Sequence, residues 1–189
     1  MQRTRAEQVA PVYEAVAQKY PEPKFMAREK PADLLAVVGT LGLHWRVPLM
    51  VEMARAIEGQ GQPPDDYEQL LELPGVGPYA AAAYLSMHRD QRASIVDSNV
   101  VRLLGRVFGF EHDGETRRKQ WLIDLADSLT PRQNYRDYNF AILDLAMTVC
   151  RPKPLCGECP LAGRDCSHAG AASRPRRRIR TGDRAPSGR

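Results

Sequence analysis

The four cysteines of this chain all fall between Cys150 and Cys166, in the spacing Cys150-x5-Cys156-x2-Cys159-x6-Cys166. A disulfide framework spreads its cysteines over the chain and needs an oxidising compartment, so this crowding points to metal binding instead. Four thiolates in one short segment suit a [4Fe–4S] cluster or a tetrahedral zinc ion, and the spacing alone does not separate the two. A second chemical feature is the string Leu73-Pro74-Gly75-Val76-Gly77-Pro78. Its glycines carry no Cβ, so a turn built on Gly75, Val76 and Gly77 can present backbone N–H groups to a phosphate at close range. The helix expected to follow adds the partial positive charge of its N-terminus at the same point. A third feature is Asp97, just ahead of the stretch Val100 to Phe108, where a carboxylate by itself fits helix capping.

The elements that must position these groups are helical throughout. Val9, Val12, Tyr13, Val16 and Tyr20 recur at helical spacing behind the capping-box pattern Thr4-Arg5-Ala6-Glu7, with Pro11 expected to kink that helix. Further helices are predicted from Pro31 to the punctuation at Gly39 and Gly42, from Leu49 to Ile57, behind an Asp65 or Asp66 cap through Leu73, and from Tyr79 to about Met87. Beyond these come Val100 to Phe108, opened by Ser98 or Asn99 as cap, then Glu115 to Leu129, then Tyr138 to Val149 running directly into Cys150. No alternating strand pattern and no internal repeat occurs, so the fold class is all-α. Hydrophobic residues make up 43% of the 189, enough for a core. No apolar run reaches the roughly 20 residues that span a bilayer. No signal-type apolar stretch follows Met1, which makes the cytoplasm the expected address and excludes a membrane partner.

Net charge is +4, and seven arginines with one aspartate lie between Arg174 and Arg189, leaving the rest of the chain slightly acidic. A basic tail on such a body suits attraction to a polyanion such as DNA, and a solvated tail accounts for it equally well. Residues after Ala169 are expected to be disordered.

The strings Leu73-Pro-Gly-Val-Gly-Pro-Tyr-Ala-Ala-Ala-Ala83, Val96-Asp-Ser-Asn-Val-Val-Arg102 and Asp137-Tyr-Asn-Phe-Ala-Ile-Leu-Asp144, followed by the cysteines, resemble the helix-hairpin-helix DNA glycosylases of the endonuclease III / MutY superfamily. The similarity runs in order from about Gln2 to Cys166. The string at Asp137 is closer to the MutY-type and thymine-mismatch branches than to endonuclease III. The resemblance implies a helical barrel lobe with the hairpin over residues 4–98, an iron-sulfur cluster lobe over 99–168 and a disordered basic tail over 169–189. It also implies two helices ahead of Gln2 that this sequence does not match, and with them the glutamate that MutY-type enzymes use as a general acid. A chain starting at Met1 is therefore expected to be poorly soluble, with weak or absent activity. The cysteine spacing departs from the family pattern, the middle pair lying one residue closer to the N-terminus within the same overall span.

For the site, the resemblance makes Asp97 the carboxylate that stabilises an oxocarbenium-like sugar during cleavage of an N-glycosidic bond. Tyr79 stands where endonuclease III-type lyases carry a nucleophilic lysine. Tyrosine cannot form a Schiff base, which implies a monofunctional enzyme that leaves an abasic site. Arg3 matches the residue that fills the gap left by the flipped base. His44 and Trp45 lie where a second wedge loop approaches the opposite strand, although Trp45 also fits core packing. Asn99 matches an asparagine beside the MutY-branch aspartate, which counts it among the DNA-contacting residues, or is a plain cap. Arg151 and Lys153 stand where relatives present basic side chains to DNA.

The implied activity is removal of thymine or uracil opposite guanine from double-stranded DNA by a monomeric enzyme. Adenine opposite guanine or 8-oxoguanine is the alternative; no match to the MutY-type domain that reads oxidised guanine follows the cysteines. A truncated, non-catalytic DNA-binding module and a zinc-stabilised structural protein are the competing classes.

Overall fold

Prolines and glycines set most helix boundaries in this chain, whose computed structural model describes residues 6–42, 44–163 and 165–169. Helix α1 spans Ala6–Lys19 and continues through Pro11; Thr4 and Arg5 of the expected capping box lie outside the described residues. Pro23 and Pro31 open α2 (Pro23–Ala27) and α3 (Pro31–Val38) at the first helical position, where the missing N–H has no partner to lose. The periodicity does not predict α2, because five residues are too few to show a period and its flanking prolines look like a break. Gly42, with φ of 73°, closes a 3₁₀ turn over Gly39–Leu41, and α4 follows as Val47–Ile57. Asp66 caps α5 (Tyr67–Glu72) by accepting the Gln69 N–H at 3.0 Å. After the glycine turn, α6 runs Pro78–His88.

The chain forms two compact units that divide between Ile95 and Val96. The lobes read from the sequence divide at 98/99, inside the next helix. In the first unit, Tyr20, Leu34, Val38, Val47 and Val51 form one apolar cluster, and Leu70, Ala81 and Leu85 form another, against which Val76 packs. Arg55 ties α4 to the end of α2 by donating to the Ala27 carbonyl at 2.9 Å.

In the second unit, α7 (Ser98–Phe108) is buried on two sides. Val100, Val101 and Leu104 pack against Leu122 and Ala126 of α8 (Gln120–Leu129), while Leu103 packs with Ala146 and Cys150. Gly105 is needed there, because a Cβ would meet the His112 ring at 2.7 Å and the Phe110 carbonyl at 3.1 Å. The helix expected over Glu115 to Leu129 is instead a 3₁₀ turn (Thr116–Arg118) and α8, separated by an extended Lys119 with ψ of 130°. Asp113 caps that turn, its Oδ1 accepting from the Glu115 N–H (3.0 Å), the Thr116 N–H (2.8 Å) and the Thr116 hydroxyl (2.8 Å). Helix α9 (Tyr135–Asp144) starts earlier than the expected Tyr138 and ends in a widened π turn (Leu145–Val149). There the Cys150 N–H donates to the Leu145 carbonyl at 2.7 Å. Among the described residues there is no strand, and no helix is long and apolar enough to cross a membrane. The proposed basic tail lies outside them.

Candidate functional site

The hairpin of the first unit assigns its two glycines different tasks. Gly75 has φ of 77°, and a Cβ on it would press on Leu49 at 3.1 Å, so conformation and packing both require glycine. Gly77 is extended (φ −117°, ψ 176°), a backbone any residue adopts, and nothing lies within 4 Å of where its Cβ would stand. That open space is room for an incoming group. Val76 turns inward: its N–H closes the turn on the Leu73 carbonyl at 3.1 Å and its side chain packs against Leu70, Ala81 and Leu85. Of the three turn amides expected to face a phosphate, that of Val76 is taken within the turn. Tyr79 sits in the first turn of α6, 39% exposed.

The loop ahead of α4 carries His44 and Trp45. The His44 Nε2 is 3.0 Å from the Gly39 carbonyl, so this ring closes the loop on itself. Trp45 is 62% exposed, which removes core packing as its explanation, and the Arg46 guanidinium lies 5.0 Å over its ring. Arg3 lies outside the described residues.

In the second unit, Asp97 is part-buried at the head of α7 and uses both oxygens. Oδ1 accepts the N–H groups of Asn99 and Val100, each at 2.8 Å, and Oδ2 accepts the Asn99 side-chain amide at 2.7 Å. Of the caps the sequence offers for this helix, Asp97 is the one used, rather than Ser98 or Asn99. The Asn99 oxygen accepts from Arg102 Nη1 at 3.0 Å, and Arg102 donates further to the Cys150 carbonyl (3.0 Å) and the Ala146 carbonyl (2.8 Å). A carboxylate only accepts and a guanidinium only donates, so the Asn99 amide has one orientation that satisfies both. Both polar ends of Asn99 have partners within the protein. Burial is the main cause that lowers the Arg102 pKa, and the neighbouring Arg106 adds to it, while Cys150 and Asp97 pull the other way.

All four cysteines line a single cavity, together with Leu103, Arg106, Val107, Leu155 and Leu161. Cys150 is buried and the other three are part-exposed. Among the described residues no three Cys, His, Asp or Glu side chains are gathered so as to hold one metal ion. The donor set nevertheless fits a thiolate-ligated centre in its chemistry: four sulfurs and apolar side chains around one space. Arg151 and Lys153 are exposed beside it. Sequence reasoning assigned no role to Arg102 or Arg106. The available signal was their i, i+4 spacing on an otherwise apolar helix.

Residues 1–124 match the family described as HhH-GPD superfamily base excision DNA repair protein. Over 170 residues the chain is 35% identical to a thymine-DNA glycosylase of Aeropyrum pernix, covering 85% of this chain and 75% of the relative. It is 34% identical over 174 residues to an adenine DNA glycosylase of Mycobacterium tuberculosis, covering 90% of this chain and 57% of the relative. Among solved structures, that of a thermostable thymine-DNA glycosylase is similar with a TM-score of 0.81 at 29% identity, over 89% of this chain and 79% of the other.

Proposed function

Because the chain belongs to the HhH-GPD superfamily of base excision DNA repair proteins, we propose that it removes thymine or uracil mispaired with guanine, by hydrolysis and without a lyase step. It is a DNA glycosylase and its partner is DNA; the base, the mismatch, the monomeric state and the residue roles are the proposal. The observation that carries the reading is the Asp97 carboxylate, held by three N–H donors in one orientation and still part-exposed. Glycosidic cleavage builds positive charge on the sugar, and a preoriented carboxylate stabilises it with no reorganisation at the moment of reaction.

The other residues supply binding and selectivity. The target nucleotide leaves the stack before the chemistry. The Gly75 and Gly77 amides and the N-terminus of α6 hold a backbone phosphate, a contact that positions without reading sequence. Trp45, exposed and backed by Arg46, offers an aromatic face to the opposite strand. Tyr79 has no amine, so the product keeps an intact strand with an abasic site. Cys150, Cys156, Cys159 and Cys166 would hold a [4Fe–4S] cluster, with zinc as the alternative. When bound, the centre supplies a multi-bond crosslink for the loop and presents Arg151 and Lys153 to phosphate.

The test is base release from duplexes holding T:G, U:G, A:G and A:8-oxoguanine. Release from T:G and U:G is expected, seen as strand cleavage only after alkali or heat, and Asp97→Asn should lower its rate by roughly a hundredfold or more. Release confined to the adenine duplexes establishes the second reading, which the Mycobacterium tuberculosis relative favours. Salt-dependent binding with no release from any duplex establishes a non-catalytic module. A covalent adduct trapped by borohydride refutes the assignment of Tyr79.

A further inference from the structure

Arg106 has no part in the proposed reaction, and its side chain donates to the cysteine segment. It lies one helical turn beyond Arg102 on α7 and lines the four-cysteine cavity. Its Nη1 donates to the Arg151 carbonyl at 2.7 Å and the Cys150 carbonyl at 3.2 Å, and its Nη2 donates to the Pro152 carbonyl at 2.9 Å. Nη1 is also 3.4 Å from the Cys150 sulfur, again as donor. From the other end of the chain segment, the Cys166 thiol reaches the Arg106 carbonyl at 3.5 Å. One residue therefore touches the first and last cysteines, by its side chain and its backbone respectively.

Three consecutive carbonyls aimed at one point repel each other unless a donor or cation sits there. A guanidinium is suited to the place because its planar fork serves several acceptors at once and keeps its charge at any working pH. The turn after Cys150 is held by this fork, so the direction of the Cys150 sulfur depends on it. The charge has a second effect: positive charge and N–H···S bonds at a thiolate favour the more negative, reduced state of an attached centre.

Resting on the reading of the four cysteines as ligands of an iron-sulfur cluster, we infer that Arg106 is the positioning residue of that centre, ordering the Cys150 turn with its fork and raising the reduction potential with its charge. The two effects separate by substitution. Arg106→Lys keeps the charge and loses the fork; Arg106→Gln loses both.

The experiment compares wild type and both variants of the full chain, prepared without oxygen. It measures iron and sulfide per chain, the rate of iron transfer to a ferrous chelator, the potential by voltammetry and helix content by circular dichroism. Wild type is expected to be loaded. Arg106→Lys should release iron several-fold faster at an unchanged potential, and Arg106→Gln should release it faster still with a more negative potential. Equal release rates and equal potentials in all three proteins overturn the inference, and Arg106→Lys alone suffices for the rate comparison if Arg106→Gln does not fold. A wild type that holds zinc overturns the cluster reading and the claim about potential; the same rate comparison with zinc then decides the ordering role. A wild type that binds neither metal overturns both.

Discussion

Asp97 caps α7 in the structure and is the carboxylate of the proposed reaction, and substitution tests the two roles together. Its Oδ1 caps α7 and its Oδ2 is steered by Asn99. Asparagine caps a helix about as well as aspartate, whereas alanine loses about 1 kcal/mol. Asp97→Asn keeps the cap but sets its amide N–H against that of Asn99, and Asp97→Ala loses the cap, so each should unfold in urea about 1 kcal/mol earlier than wild type, with base release lost in both. Wild-type base release by either variant would reduce Asp97 to a cap. Asn99 gives a sharper comparison at the same scale. Asn99→Ala leaves Asp97 Oδ2 without its side-chain donor and Arg102 without its acceptor. Its expected effect is a drop in kcat of roughly tenfold or more with little change in KM, as for a group that orients the carboxylate. A weakened duplex affinity at unchanged kcat would return Asn99 to the DNA-contact role read from the sequence. The sequence could not tell capping from catalysis at position 97, because both ask for a short acceptor ahead of a helix.

At the scale of elements, the glycine turn makes a different prediction at each of its two glycines. Gly75→Ala places a side chain at φ of 77° and against Leu49, and should cost about 1–3 kcal/mol of stability in denaturant unfolding. Gly77→Ala meets no protein atom within 4 Å, so its stability should be unchanged while duplex affinity falls several-fold, the methyl standing where a phosphate approaches. Loss of stability at Gly77 with no loss of affinity would make this turn a mere connector. Proline-opened helices and apolar periods made α3, α4, α6 and α7 legible in the sequence, as the glycine spacing did the turn and the cysteine spacing the thiol cavity. What stayed illegible was decided by partners far along the chain or by side-chain bonds to backbone. Asp113 opens a separate 3₁₀ turn ahead of α8 through three local bonds. The π turn before Cys150 leaves the Ala146 and Cys150 carbonyls to arginines some forty residues away. An arginine in a helix ordinarily looks like a solvated surface residue, and only that approach gives Arg102 and Arg106 their roles.

For the whole molecule, the distribution of cations matters more than their sum. Within the body several basic side chains are already answered: Lys19 by Glu29, Lys24 by Glu22, Arg28 by Glu58, Arg89 by Asp65 and Arg118 by Glu115. Arg55, Arg102 and Arg106 donate to backbone carbonyls. The unbalanced positive charge sits by sequence between Arg174 and Arg189, and without it the chain is slightly acidic. Sequence-independent attraction to a duplex grows with the number of phosphates neutralised, and the slope of log affinity against log salt is about −0.9 for each. Removing the residues after Ala169 should therefore flatten that slope by up to about 5 and weaken undamaged-duplex binding at low salt. The ranking of T:G, U:G and adenine duplexes should not change, because charge attraction to phosphate carries no sequence information. Titration of both chains with one undamaged duplex over a salt series checks this. An unchanged slope would mean that the hairpin amides, Arg151 and Lys153 already supply the electrostatic grip, and that the tail's charge acts on something other than DNA.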